Sequence, residues 1–260
     1  MLKIKRFSFN PIQECCCVAW KEAEKPVSEP GAEDDPEPLA EAVIIDPGFY
    51  DETEKSELFD FIETSHLKVC GVLLTHGHFD HIFGVKECVE RYGAKVYMNQ
   101  EDKIILQNDG LMAQSFGLKR PDVSFATENI KEGDRIAVGK MSFEVIETPG
   151  HTPGGVCFYD REDKVLFSGD TLFAGSIGRT DNPWGDYDKL IKSVMEKVMG
   201  LDGDTKVIPG HGPSTTISNE IANNPFLIPF NEPDIDWENA EGLTIDGGED
   251  VTGEGETSGR

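Results

Sequence analysis

Thr75-His76-Gly77-His78-Phe79-Asp80-His81 places three imidazoles and a carboxylate within seven residues. Neutral imidazole and carboxylate are the groups that zinc and its first-row neighbours accept as ligands. In an extended or turning segment His76 and His78 project to one side, two residues apart, and can share one ion. Asp80 and His81 then open a helix and point to a second ion, while Gly77 lets the backbone turn without a Cβ clash. Five of the six histidines lie in this run or at His151 and His211, and Asp170 adds a further carboxylate. A purely structural metal site is closed by four tight ligands, whereas seven ligands around two ions leave positions open for water, so the set points to catalysis. The sixth histidine, His66, reads as a surface or helix-end residue.

These groups must be positioned by the elements that precede them. Each cluster follows an apolar strand: Leu73-Leu74-Thr75 leads to His76, Val145 to Gly150 leads to His151, Val165 to Gly169 leads to Asp170, and Val207 to Gly210 leads to His211. Strands of one packed layer end along a common edge, so the four clusters can converge on a single cleft. Asp51-x-x-Glu54 resembles a capping box, with Leu58, Phe59 and Ile62 at helical spacing behind it, which predicts a helix over 52–65. Helical spacing returns from Phe83 to Tyr92. It is clearest from Tyr187 through Leu190, Ile191, Val194, Met195 and Val198, with Gly200 as the stop. The runs Cys15 to Trp20 and Ala42 to Ile45 predict neighbouring strands of a long hairpin, after a first strand near the N-terminus.

Between those two runs, residues 21–42 combine four prolines with eight acids and two lysines and predict an exposed loop insertion. Residues 229–260 form an acidic, glycine-rich tail that predicts disorder. The net charge is −25. Residues 21–42 and 231–260 (ten acids, one arginine) account for fifteen of those charges, and the rest of the chain still lacks the basic face that nucleic-acid binding requires. No apolar stretch approaches the roughly 20 residues that cross a bilayer. The charged N-terminus does not fit a secretory signal. Cysteines 15, 16, 17, 70, 88 and 157 include a consecutive triplet that is poorly placed for mutual bonding, and there is no Cys-x-x-Cys, so buried thiols in a reducing cytoplasm are expected.

Thr-His-x-His-x-Asp-His, Pro149-Gly150-His151-Thr152-Pro153-Gly154-Gly155, Ser168-Gly169-Asp170-Thr171-Leu172-Phe173 and Pro209-Gly210-His211-Gly212-Pro213, in this order, resemble the metallo-β-lactamase superfamily. The resemblance implies an α/β fold, an αββα sandwich over residues 1–228. It implies that one metal takes His76, His78 and His151, that another takes Asp80, His81 and His211, and that Asp170 bridges them. The ions would be zinc, with iron or manganese as the other candidates. Asp46-Pro47-Gly48, Gly175-Ser176-Ile177-Gly178-Arg179-Thr180-Asp181 and the run from His211 to Thr216 with Asn224-Pro225-Phe226 look like the glyoxalase II branch, in its short bacterial form.

That likeness implies a binuclear hydrolase of small-molecule thioesters such as S-lactoylglutathione. The chain departs from full-length glyoxalase II, whose helical C-terminal domain grips glutathione, by carrying only the acidic tail there. Asp80 is expected to orient the attacking group as well as ligate, and Arg179 is a candidate for a substrate carboxylate, or else a member of a loop ion pair. Thr152 and Thr171 are expected to support ligands through hydrogen bonds. A persulfide dioxygenase with a single iron shares much of the pattern, and a lactonase or β-lactamase would keep both metals with another carbonyl substrate. A ribonuclease of the same fold would need the basic face that is missing, and a binding module with a structural metal site would need a closed one.

Overall fold

The computed structural model describes residues 1–22 and 39–230; most of the acidic insertion and of the tail lies outside the described residues. The described residues form two six-stranded sheets. The first contains β1 (Lys3–Arg6), β2 (Cys17–Trp20), β3 (Ala40–Ile45), β4 (Leu67–Leu73), β5 (Lys95–Met98) and β6 (Thr127–Asn129), in that order across the sheet. Strands β7 (Arg135–Val138), β8 (Met141–Glu147), β9 (Val156–Asp160) and β10 (Val165–Gly169) belong to the second. A separate hairpin of β11 (Leu172–Phe173) and β12 (Ser176–Ile177) follows, and β13 (Lys206–Pro209) and β14 (Thr215–Thr216) complete the second sheet in the order β14-β13-β10-β9-β8-β7. The predicted pairing of the two early runs is present, with Val18 opposite Ile44 in antiparallel register.

Side chains alternate across a strand, and here both faces of the central strands are covered. Cys17, Ala19, Val43, Ile45 and Leu73 of the first sheet pack against Phe143, Val145, Phe158, Val165, Phe167 and Ile208 of the second. The intervening residues Val18, Ile44 and Val72 face outward onto α1 (Glu52–Thr64), which presents Leu58, Phe59 and Ile62. On the far side, Ile146, Leu166 and Val207 face a helical segment presenting Leu190, Ile191, Val194 and Val198. The layers therefore run helix, sheet, sheet, helix, which explains why the central strands read as continuous apolar runs rather than alternating ones.

Three helical expectations are refined. Asp51 caps α1 by accepting from the Thr53 and Glu54 amides, but Glu54 does not return to Asp51: its carboxylate accepts from the Tyr50 and Asn10 amides and fastens the N-terminal loop to the helix. The helical spacing after the histidine run is divided into α2 (Phe79–Ile82) and α3 (Val85–Tyr92). At Gly84 the main-chain bonding is diverted away from the helix, and no side chain fits there. The Gly84 amide donates to the Pro47 carbonyl at 2.8 Å, and a Cβ there would lie 2.2 Å from the Phe49 ring. After α4 (Lys103–Asn108) and α5 (Gly110–Ser115), the helix that begins at Tyr187 runs regularly as α6 (Tyr187–Ser193) and finishes in a π turn over Val194–Val198. There the Met199 amide reaches back to the Val194 carbonyl. A last helix, α7 (Ile217–Asn223), lies against β14.

Gly84→Ala should force the Phe49 ring and the loop from Asp46 out of place. Overpacking of this kind costs roughly 1–3 kcal/mol, and denaturant unfolding should show a lower midpoint with an unchanged slope.

Candidate metal centre

Strands β4, β8, β10 and β13 deliver their clusters to the same edge of the sandwich. The ends are tied together by main-chain bonds: the Val156 amide donates to the Thr75 carbonyl at 2.8 Å, and the Gly210 amide donates to the Gly169 carbonyl at 2.8 Å. The seven residues picked out from the sequence come together here. Donor atoms of His76, His78 and His151 lie within 4.8 Å of one another, as do those of Asp80, His81 and His211, and those of His76, His81 and Asp170. Asp170 touches both outer groups, its Oδ2 lying 3.5 Å from His151 Nε2 and its Oδ1 3.5 Å from His81 Nε2. His66 stands apart, exposed just past the end of α1.

Three imidazoles are held through Nδ1, which leaves Nε2 directed inward. The Thr75 hydroxyl spends its proton on Asp46 Oδ2 at 2.6 Å, so at 3.1 Å the His76 ring N–H donates to the Thr75 oxygen. His81 Nδ1 lies 3.0 Å from the same Asp46 oxygen, and His151 Nδ1 donates to the Arg179 carbonyl at 2.7 Å. Orientation through the second ring nitrogen is how metal-binding histidines are fixed in tautomer and direction. Asp46 itself has φ 48°, an uncommon conformation for a residue with a side chain, and its other oxygen accepts from the Thr75 amide at 2.8 Å.

Several supporting residues were invisible to sequence reasoning. Asp46 was noticed only as part of a motif. Asp102, fully buried in the turn before α4, accepts from the Gly77 amide, the Thr152 hydroxyl and the Gly154 amide, and so joins the first histidine loop to the His151 loop. Gly77 is required less for a turn than for the approach of this turn, since a Cβ would lie 3.1 Å from the Asp102 carbonyl. Asn10 donates to the carbonyls of Gly48 and Asp80, and Asp109 accepts from the Phe79 amide at the start of α2. Glu14, buried behind His81 and Asp46, has neither carboxylate oxygen hydrogen-bonded, and burial pushes its carboxyl well above the usual range. Thr152 acts on Asp102 and Thr171 on Thr148, so neither hydroxyl reaches a candidate ligand directly.

The donor set suits a cation. His76 Nε2, His81 Nε2 and Asp170 Oδ1 are buried without a hydrogen-bond partner, which is costly unless something else satisfies them. Gly210 keeps the ring of donors closed, because a Cβ there would fall 2.3 Å from Asp170 Oδ1 and 2.7 Å from His81 Cε1. Burial and the neighbouring imidazoles push His76 well down and His78 down to about 3, so both are neutral. For His81 and His211 burial acts downward too, but Asp80 and Asp170 outweigh it and hold both above the usual imidazole range. Burial would raise Asp80 and Asp170; His81 outweighs it and keeps both ionised. A cation held at His81 and His211 would displace those two protons.

The centre lies at the floor of a cleft of about 420 Å³. Arg179 is at this cleft, where its guanidinium makes a two-point ion pair with Asp181 at 2.8 and 2.9 Å while its main-chain carbonyl steadies His151.

Residues 40–211, well over half of the chain, match the family model of the metallo-β-lactamase superfamily. The chain belongs to the metallo-β-lactamase superfamily. Among its relatives is the hydroxyacylglutathione hydrolase GloC of Haemophilus influenzae, 40% identical over 188 residues that cover 72% of this chain and 87% of the relative. The BLEG-1 B3 metallo-β-lactamase superposes with a TM-score of 0.74 at 33% identity, covering 86% of this chain and 99% of that one. TTHA1623, solved in a di-iron-bound form, gives a TM-score of 0.71 at 36% identity, with 86% and 100% covered. This superfamily member therefore has the αββα architecture that its motifs implied, and it is a metallo-hydrolase by family with His/Asp groups suited to divalent ions. No helix among the described residues is long and apolar enough to cross a membrane.

Asp46→Asn should weaken divalent-metal affinity by about 10- to 100-fold, the usual scale for losing a group that orients a ligand, as read by competition with a chromophoric chelator. Because protons on His81 and His211 compete with the ion, affinity for zinc should rise as pH increases from about 6 to 8; an affinity independent of pH would contradict the charge assignment.

Proposed function

We propose that the protein is a binuclear metal-dependent thioester hydrolase, glyoxalase II-like, acting on S-lactoylglutathione or a related acyl thioester. The observation that carries this reading is the Asp170 carboxylate, whose two oxygens reach His81 on one side and His151 on the other. That arrangement would suit two adjoining metal positions, which favours a binuclear hydrolase over a single-iron dioxygenase. The substrate class is supported by the 40% identical relative, a hydroxyacylglutathione hydrolase. In this reading His76, His78 and His151 hold one ion, Asp80, His81 and His211 hold the other, and Asp170 bridges them, zinc being the ion we favour.

When bound, a pair of divalent ions makes a water acidic enough to attack near neutral pH and draws charge from a carbonyl. The chain's own groups do the rest. Asp80, with Oδ2 3.2 Å from His211 Nε2, orients the attacking water. Asp46, Thr75 and the Arg179 carbonyl hold the imidazoles so that no reorganisation is needed during reaction. Arg179 keeps guanidinium donors beyond its ion pair for a substrate oxygen at the cleft mouth. A thiolate leaving group, of pKa near about 8.5, needs no general acid. We assign catalysis to residues 1–228, with the segment between β2 and β3 as a loop insertion, shorter than the expected 21–42 because Ala40–Ala42 belong to β3, and 229–260 as a tail, and place the protein in the cytoplasm, where its five buried thiols and partly buried Cys70 suit a reducing setting.

Metal quantitation on the purified protein, coupled to a thioester panel that includes S-lactoylglutathione, tests the proposal. Two ions per chain with thioester turnover is the expected result; one iron with oxygen uptake on glutathione persulfide would overturn it. Asp80→Ala should lower kcat by about 10²-fold or more while changing KM far less, as expected for a group that acts on the nucleophile. An equal loss in substrate binding would count against the orienting role.

A further inference from the structure

We infer that the cleft selects thioesters whose acyl and thiol portions are both apolar and uncharged, in preference to glutathione conjugates. The inference rests on the thioesterase reading above and narrows its substrate. Apolar side chains border the cleft. Phe79, Met112 and Phe116 line it, with the Phe79 and Phe116 rings 5.8 Å apart, and Phe173, Ile177 and Trp184 line it as well. Phe116 is 55% exposed, and Phe173 and Trp184 are only partly buried. Aromatic surface left open beside a reaction centre gains most from an apolar guest, and a cleft of this size accepts a small one.

The charges lead to the same guest. Apart from the proposed ligands, the charged side chains lining the cleft are Asp109, Arg179 and Asp181. Asp109 is committed to the Phe79 amide, and Arg179, the single cation, is engaged through two nitrogens by Asp181. Beyond the metal positions the lining thus offers a single side-chain cation, already paired with Asp181, and Arg179 retains donors for a neutral amide or ester oxygen. An S-substituted glutathione brings two carboxylates and one ammonium at neutral pH. Partial desolvation of those carboxylates without a cationic partner is unfavourable. The segments outside the described residues bring little compensation, since residues 23–38 contain one lysine against six acids and residues 231–260 one arginine against ten acids. A chain of net charge −25 also repels an anion on approach.

The test compares carriers with one S-substituent on the metal-loaded, full-length protein, using calorimetry so that hydrolysis is not required. S-benzyl-N-acetylcysteamine should bind about tenfold more tightly than its S-methyl counterpart, the scale expected for burying part of one ring, and S-benzylglutathione should bind no more tightly than S-benzyl-N-acetylcysteamine. Phe116→Ala and Trp184→Ala should each shrink the benzyl-over-methyl preference several-fold. Circular dichroism and metal content, measured alongside, would separate this from misfolding. Tenfold tighter binding of the glutathione form, or no benzyl preference, would overturn the inference. Rates decide the two readings separately: phenylacetyl-N-acetylcysteamine should exceed S-lactoylglutathione in kcat/KM. Binding in the inferred order without turnover of any thioester would defeat the thioesterase reading alone, and turnover with a glutathione preference would defeat the inference alone.

Discussion

The Asp46 carboxylate is the interaction on which the rest of the centre depends. One oxygen takes the Thr75 amide and the other takes the Thr75 hydroxyl and faces His81 Nδ1, so a single side chain joins the end of β3 to the end of β4 and to α2. Through the Thr75 oxygen it also sets the His76 ring. A carboxylate at this place needs the chain to leave β3 in a left-handed conformation, with φ 48° at Asp46. The following Gly48 is hemmed in as well: a Cβ there would lie 2.1 Å from the Asp80 carbonyl. Backbone strain of this kind persists only where the surroundings over-determine it. Here the surrounding constraints are the strand pairing on one side and the Phe49–Gly84 contact on the other.

The electrostatics of the site follow from packing this much polarity at a sheet edge. Neutral His76 and His78 lie beside His81 and His211, which are held in the protonated form by Asp80 and Asp170. Positive and negative groups are interleaved so that the ionised side chains of the centre face opposite charges. Glu14, close behind, is kept neutral by burial and adds no further negative charge. The strongly acidic character of the whole chain is thus not what forms the centre.

The convergence of the candidate ligands was legible in the sequence because each follows an apolar strand and because histidine is scarce elsewhere in the chain. The layer order was legible through the same strands, with helix signals between them. The supporting residues were not. Asp102 is one acid among many in a polar stretch, and only three-dimensional closure of the Gly77 and Gly154 loops onto its carboxylate distinguishes it. The division of the helix at Gly84 was hidden for a related reason: local spacing continues through it, and the Gly84 amide is drawn off by the Pro47 carbonyl of a distant loop. Capping was half readable, since Asp51 obeys a local rule while Glu54 serves the N-terminal loop, 44 residues away from it at Asn10.

The distribution of candidate ligands between the two sheets has a consequence for how the molecule comes into being. The first sheet and its connections supply His76, His78, Asp80 and His81; the second supplies His151, Asp170 and His211. Each of the three ligand groups around Asp170 draws its third member from the other half. In the proposed assignment neither half, made first on the ribosome or released by a protease, would assemble a complete coordination sphere. An ion held there would serve as a staple across the seam, and its retention would report that both halves have docked in register.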